Sequence, residues 1–216
     1  MITIFLADDH TIVRDGLRSL LRAQPDLEVI GDAENGREAL RQMAQQCPDV
    51  AILDISMPEL NGIETTRQLR ELCPTTQVII LSMHASSSYI FRALQAGARG
   101  YLLKAAAGRE VADAVRTVAA GHRYLGQEIS DTVIDDYIRQ PEAARGQDPL
   151  KLLSPREREI FQLVVEGKSS PEIAEVLFIS PKTVDTYRSR LMQKLNISDL
   201  PSLVKFAIRH GLASLD

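Results

Sequence analysis

Over the first 120 residues, short apolar runs alternate with stretches whose apolar residues recur every three or four positions. Ile2 to Ala7, Leu27 to Ala33, Asp49 to Asp54, Gln77 to Met83 and Gly100 to Lys104 predict five strands. Thr11 to Ala23, Arg37 to Gln46, Ile63 to Leu72, Ser87 to Gln95 and Arg109 to Ala119 predict five helices between and after them. On the first helix, Ile12, Val13, Leu17, Leu20 and Leu21 are expected on one face. Val50-Ala51-Ile52-Leu53 runs without alternation into Asp54, as a strand buried on both faces does. Strictly alternating strands and helices predict an α/β fold, a doubly wound five-stranded parallel sheet, because such crossovers are right-handed and cover both faces.

From Gly121 the pattern loosens. Ile129 to Ile138 reads as a short acidic helix, and Gln140 to Pro149, rich in Pro, Ala, Gly and charge, reads as a linker. The predicted organisation is a domain over 1–120, a partly helical linker over 121–149 and a second domain over 150–216. The second domain is all helical by pattern. Ser154-Pro155, Ser170-Pro171 and Ser180-Pro181 each place a capping hydroxyl before a proline at a helix start. A fourth helix is expected from Pro201 to His210, giving an all-α four-helix domain.

Charge divides the chain in the same way. Residues 1–120 hold 12 Lys+Arg against 15 Asp+Glu, residues 121–150 hold 3 against 6, and residues 151–216 hold 10 against 8. Only the last segment suits a polyanion. No apolar run approaches the roughly 20 residues that span a bilayer, and the chain opens on a strand without a basic leader, so a cytoplasmic protein is expected. Cys47 and Cys73 each precede a proline and are expected as reduced thiols.

Four of the five strands end in polar residues: Asp8-Asp9, Asp54, Ser82 and Lys104. A parallel sheet brings those ends to one edge, where open α/β sheets place their ligand sites. Each residue has a plainer use: Asp8 or Asp9 as a helix cap, Ser82 satisfying backbone, Lys104 as a solvated charge. Together they make a different pattern, because clustered carboxylates ionise with difficulty without a cation. Mg2+, a small hard ion, suits one or two carboxylates plus water. A carboxylate so neutralised can attack phosphorus, with Lys104 and Ser82 donating to phosphoryl oxygens.

In the helix from Pro181, successive side chains stand about 100° apart. Lys182, Asp185, Thr186, Ser189, Arg190 and Gln193 then share one side, opposite Val184, Leu191 and Leu195. With the helix from Pro171 and the turn Phe178-Ile179-Ser180, this predicts a helix-turn-helix whose polar face, flanked by Lys182, Arg188 and Lys194, suits a major groove. A solvated amphipathic helix is the alternative for such a helix taken alone.

The motifs carry a resemblance over the whole chain. Asp8-Asp9, Asp54-x-x-Met57-Pro58-x-x-x-Gly62, Ser82 and Tyr101-x-x-Lys104 resemble a two-component receiver domain, which is flavodoxin-like. Leu153-Ser154-Pro155-Arg156-Glu157, Gly167-Lys168-Ser169, Glu172-Ile173-Ala174, Ser180-x-Lys182-Thr183-Val184 and Lys194-Leu195 resemble the LuxR-type helix-turn-helix, and the combination resembles the NarL/FixJ response regulators. The resemblance implies that Asp54 accepts a phosphoryl group from a sensor kinase's phosphohistidine. It implies that Asp8, Asp9, Asp54 and the Ser56 backbone carbonyl hold Mg2+, and that Ser82 and Tyr101 form a switch pair. Base-facing positions map onto Asp185, Thr186 and Ser189, phosphate-facing ones include Lys182 and Thr183, and Arg190 and Lys194 belong to the same interface. Promoter binding as a homodimer on paired half-sites follows, since +2 is a small charge for one copy. Three departures stand out: Ala105-Ala106-Ala107 follows Lys104 where proline or aspartate is usual, Asp185 replaces a common lysine, and Tyr187 a common histidine.

Two other functions compete. A phosphatase working through an aspartyl-phosphate would carry a second acid two residues after Asp54, where Ser56 stands. An unphosphorylated interaction module would not need the full acidic set.

Overall fold

The structure is a computed structural model that describes residues 1–130 and 149–209. The chain divides into two compact units between residues 139 and 140. The first unit runs β1 (Ile2–Ala7), α1 (Thr11–Arg22), β2 (Leu27–Ala33), α2 (Gly36–Met43), β3 (Val50–Asp54), α3 (Gly62–Leu72), β4 (Gln77–Ser82), α4 (Ser87–Ala96), β5 (Gly100–Leu103), α5 (Ala107–Ala119) and β6 (Tyr124–Leu125). The strands lie in the order β2-β1-β3-β4-β5-β6 and every pair is parallel.

Side chains alternate across the strands, so the sheet feeds two cores. Phe5, Ala51, Leu53, Val78, Ile80 and Tyr101 face one layer with α2, α3 and α4. Ile4, Leu6, Ile52, Ile79, Leu81 and Leu102 face the other with α1 and α5. Chain order reverses at β1, which lies between β2 and β3. The crevice of such a switch point opens at the carboxyl ends of β1 and β3, where Asp8 and Asp54 stand.

Several sequence expectations are refined. Tyr124–Leu125, assigned to the linker, forms a sixth short parallel strand beside Gly100–Tyr101, so the sheet exceeds the expected five. Ile129 is buried against the first core, while residues 131–138 of the expected acidic helix and 140–148 of the linker lie outside the described residues. Ile12 is 88% exposed and Leu20 42%, although both were placed on the core face of α1. The buried stripe is instead Leu17 and Leu21, four residues apart; Ile12 sits a further 100° round from Val13 and faces away. Cys47 and Cys73, expected as free thiols, are joined in a disulfide with Cα atoms 5.8 Å apart. The ends of α2 and α3 converge beside β3, which brings together two residues 26 apart in sequence.

The second unit begins with a 3-10 turn (Pro149–Leu152), followed by α6 (Pro155–Val165), α7 (Ser170–Leu177), α8 (Pro181–Leu195) and α9 (Leu200–Arg209); His210 lies outside the described residues. Ile160, Leu163, Ile173, Leu177, Val184 and Leu191 form its core. Ser154 caps α6 reciprocally: its Oγ accepts from Glu157 N at 3.3 Å, and its own N–H donates to Glu157 Oε2 at 2.7 Å. In α7 the cap is Ser169, one residue earlier than expected, with its N–H donating to Glu172 at 2.7 Å. Ser170 is thereby released from capping. Among the described residues, no helix is long and apolar enough to cross a membrane.

Candidate functional site

The first site lies on the sheet edge. Asp54 ends β3 and Asp8 follows β1; both carboxylates are 2% exposed. Lys104, just past β5, reaches both: its Nζ lies 2.8 Å from Asp8 Oδ2 and 3.1 Å from Asp54 Oδ2. Burial, then the charge of Asp8, pushes the Asp54 carboxyl up to about 6 against the pull of Lys104. For Lys104 burial acts downward, but the hydrogen bond to Asp8 and the charge of Asp54 outweigh it and hold the ammonium above its ordinary range. The β3 strand can end so tightly against α3 because residue 62 is glycine: a Cβ there would stand 2.1 Å from the Asp54 carbonyl oxygen. Glu59, in the loop between, takes a left-handed φ of 64°.

Asp8, Asp9, His10 and Asp54 each offer a ligand atom, all within 4.8 Å of one another. The Oδ2 atoms of Asp8 and Asp54 are buried, and among the described residues the Lys104 ammonium is the partner they share. Hard oxygen donors with unsatisfied lone pairs fit a small divalent cation. The Ser56 residue is exposed at the same loop, and its neighbour Ile55 is fixed by donating to Leu81 O at 3.3 Å and accepting from Gly62 N at 3.1 Å.

Ser82 and Tyr101 are connected through one residue, His84, in the loop from β4 to α4. The His84 N–H donates to Ser82 Oγ at 3.0 Å, and Tyr101 Oη donates to the His84 carbonyl at 2.7 Å. Tyr101 is fully buried, which drives its phenol well above the ordinary range. The His84 ring stacks on Tyr89 with centroids 4.4 Å apart, and the Arg92 guanidinium stands 5.5 Å from the Tyr89 centroid.

Two residues of this site were not singled out from sequence. His10 joins the acidic cluster, its Nδ1 2.7 Å from Asp9 Oδ1. Arg14, 7% exposed in its side chain, donates to the Asp8 carbonyl and pairs with Glu34 at 2.8 Å, which braces the turn after β1. The available signal was Arg14-x-x-x-Arg18 on α1 facing Asp32 and Glu34 at the end of β2.

The second site is the outer face of α8. Lys182, Asp185, Thr186, Ser189, Arg190 and Gln193 are all exposed and Val184 and Leu191 fully buried, as the 100° spacing requires. Thr183 sits in the Ser180 cap, with its N–H 3.1 Å from Ser180 Oγ. Thr186 Oγ1 donates to Lys182 O at 2.9 Å, and Arg190 lies 6.0 Å from the Tyr187 ring centroid. Lys194 is placed differently from the rest: its ammonium is 2.6 Å from Glu157 Oε2, so it is bound to α6. Burial works to raise the Glu157 carboxyl, but Lys194 and Ser154 overcome it and hold it below the usual range. Asp185 accepts from Ser170 Oγ at 2.6 Å, a partner that sequence did not indicate.

Residues 4–116 match the family described as response regulator receiver domain, and residues 151–207 the bacterial regulatory proteins of the luxR family. The oxygen regulatory protein NreC of Staphylococcus carnosus is 39% identical over 212 residues, covering 97% of this chain and 98% of NreC. The response regulator UvrY of Escherichia coli is 37% identical over 216 residues, 100% of this chain and 98% of UvrY. Among solved structures, the response regulator ChrA of a heme-sensing two-component system is 33% identical with a TM-score of 0.53, and 98% of each chain is covered.

Proposed function

The chain belongs to the NarL/FixJ response regulators, DNA-binding transcription regulators of two-component systems rather than enzymes, and from that premise we propose that Asp54 is its phosphoacceptor and the outer face of α8 its DNA-reading surface. The supporting observation is a buried Asp54 held beside Asp8 at the crevice of the sheet, with the Lys104 ammonium bridging the two carboxylates. An Asp54 oxygen attacks the phosphorus of a kinase phosphohistidine, the N–P bond breaks, and the imidazole leaves. Asp8, Asp9, Asp54 and the Ser56 carbonyl would hold Mg2+, which supplies charge neutralisation of the phosphoryl oxygens. Lys104 is already within reach of Asp54 and follows the new charge from carboxylate to phosphoryl oxygen.

Phosphorylation replaces one negative charge by roughly 1.5 to 2 and adds three strong acceptors. Ser82 Oγ turns from the His84 N–H to donate to a phosphoryl oxygen. The same movement disturbs the carbonyl that anchors Tyr101, so charge at β3 is converted into a rearrangement of the loop before α4. The receiver then favours a homodimer whose LuxR-type domains engage paired half-sites of promoter DNA in the cytoplasm, with the first unit, β6 and Ile129 included, as receiver and residues 150–216 as reader. Lys182, Thr183, Asp185, Thr186, Ser189 and Arg190 face the DNA; Lys194 contributes by fixing α8 to α6.

Incubating the full chain with a small phosphodonor and Mg2+ tests the acceptor by intact mass. A stable gain of one phosphoryl group that is lost in Asp54→Asn supports the proposal. Multiple turnover of the donor would indicate a phosphatase, and no gain an interaction module.

A further inference from the structure

Residue 185 is an aspartate on a face meant for a polyanion, which at first sight works against binding. Its surroundings explain how it is tolerated. Ser169 takes the cap of α7, so the hydroxyl of Ser170 is free to reach across to α8. It donates to Asp185 Oδ1 at 2.6 Å, and Arg188 Nη1 donates to the same Ser170 oxygen at 2.9 Å. A guanidinium has no lone pair to offer, and a serine hydroxyl has one proton. Arg188 must therefore occupy a lone pair of Ser170, and the serine proton is committed to Asp185. The three groups form a chain of fixed polarity, from guanidinium to hydroxyl to carboxylate. The carboxylate is held in one orientation, and a positive charge stands behind it against the field of the phosphates.

Each carboxylate oxygen has two acceptor positions, and Ser170 uses one of them. The rest of an exposed, acceptor-only group points outward from α8. In the major groove, guanine shows two acceptors and thymine an acceptor beside a methyl, so both repel it. Adenine shows a donor next to the N7 acceptor. Cytosine shows an amino donor alone.

Resting on the assignment of α8 as the DNA-reading helix, we infer that Asp185, positioned by Ser170 and Arg188, is a specificity determinant that selects cytosine at one position of each half-site. Ser170 and Arg188 are positioning residues, acting on the base through the carboxylate.

The test is selection of bound sites from random double-stranded DNA by the phosphorylated full chain, run in parallel for wild type, Asp185→Asn, Asp185→Ala and Ser170→Ala. Far-UV circular dichroism checks that each variant keeps its fold. Wild type should prefer cytosine at one half-site position by roughly tenfold over any other base. Asp185→Asn, similar in shape but able to donate and accept, should move that preference to adenine. Asp185→Ala should abolish it, and Ser170→Ala should reduce it several-fold while leaving the other positions of the site unchanged. A change of base at one position is a readout that loss of stability alone does not produce. A defined site that is the same for wild type and Asp185→Ala overturns the inference and leaves the DNA-binding assignment standing. Enrichment of no site by the wild type overturns both.

Discussion

Asp54→Asn should stabilise the receiver unit in the absence of a divalent cation, and by an amount that depends on pH. The native carboxyl ionises at about 6 against an ordinary 3.8 because it is buried and faces Asp8. The folded state thus holds its proton to higher pH than the unfolded chain, and stability falls as pH rises through that interval. At 1.36 kcal/mol per pH unit, ionising Asp54 costs the fold about 3 kcal/mol once the pH exceeds 6. Asparagine has the shape of the neutral acid and avoids the charge. The variant should gain about 3 kcal/mol over wild type at pH 7.5 and only about 1 kcal/mol at pH 4.5. Denaturation by urea in EDTA, followed by far-UV circular dichroism because the chain has no tryptophan, measures both values. Millimolar Mg2+ should narrow the gap at pH 7.5, since a cation neutralises the wild-type pocket and has one ligand fewer in the variant. An Asp54→Asn protein no more stable than wild type at pH 7.5, or equally stabilised at both pH values, refutes the view that buried carboxylate repulsion is stored at this site.

Other perturbations follow from single contacts. Gly62→Ala places a methyl 2.1 Å from the Asp54 carbonyl, where backbone cannot yield, and should cost several kcal/mol and abolish phosphodonor labelling at Asp54, as read by denaturation and intact mass. Lys194→Ala leaves the buried Glu157 without its counterion and should destabilise the LuxR-type unit by about 1–3 kcal/mol at neutral pH. Because Glu157 is held below its ordinary range, that penalty should fade as pH drops below the ordinary value of 4.5, which urea titrations at pH 7.5 and 4 compare. Reduction of the Cys47–Cys73 disulfide, which closes a 26-residue separation, should lower stability by about 3 kcal/mol, checked by thermal denaturation with and without a phosphine reductant and by non-reducing peptide mapping.

The elements of both units were legible because their periods are local. The run Val50 to Asp54 shows a strand buried on both faces, and the polar residues at strand ends place Asp8, Asp54, Ser82 and Lys104 on one edge without any knowledge of side-chain distances. The 100° spacing along α8 separated its exposed and buried sides correctly. The failures have local causes too. Ile12, apolar and next to Val13, extends the stripe in the linear chain yet faces water in the fold, and Ser170-Pro171 has the form of a cap although Ser169 and Glu172 form the box. Tyr124–Leu125 is only two residues long, too short to carry a period, and is a strand because the exposed edge of β5 receives it.

By itself the sequence determined which segments are strands or helices, which residue types reach the sheet edge, and which flank of α8 faces solvent, because each depends on spacing along one element. Tertiary structure decided the partners. Tyr101 meets the carbonyl of His84 17 residues away, Ser170 meets Asp185 across 15, and Lys194 meets Glu157 across 37. A lysine or an aspartate is equally compatible with water in the linear chain. Only closure of the sheet and packing of the helices fixes the few ångströms that make it an ion pair, a positioned acceptor or a switch anchor.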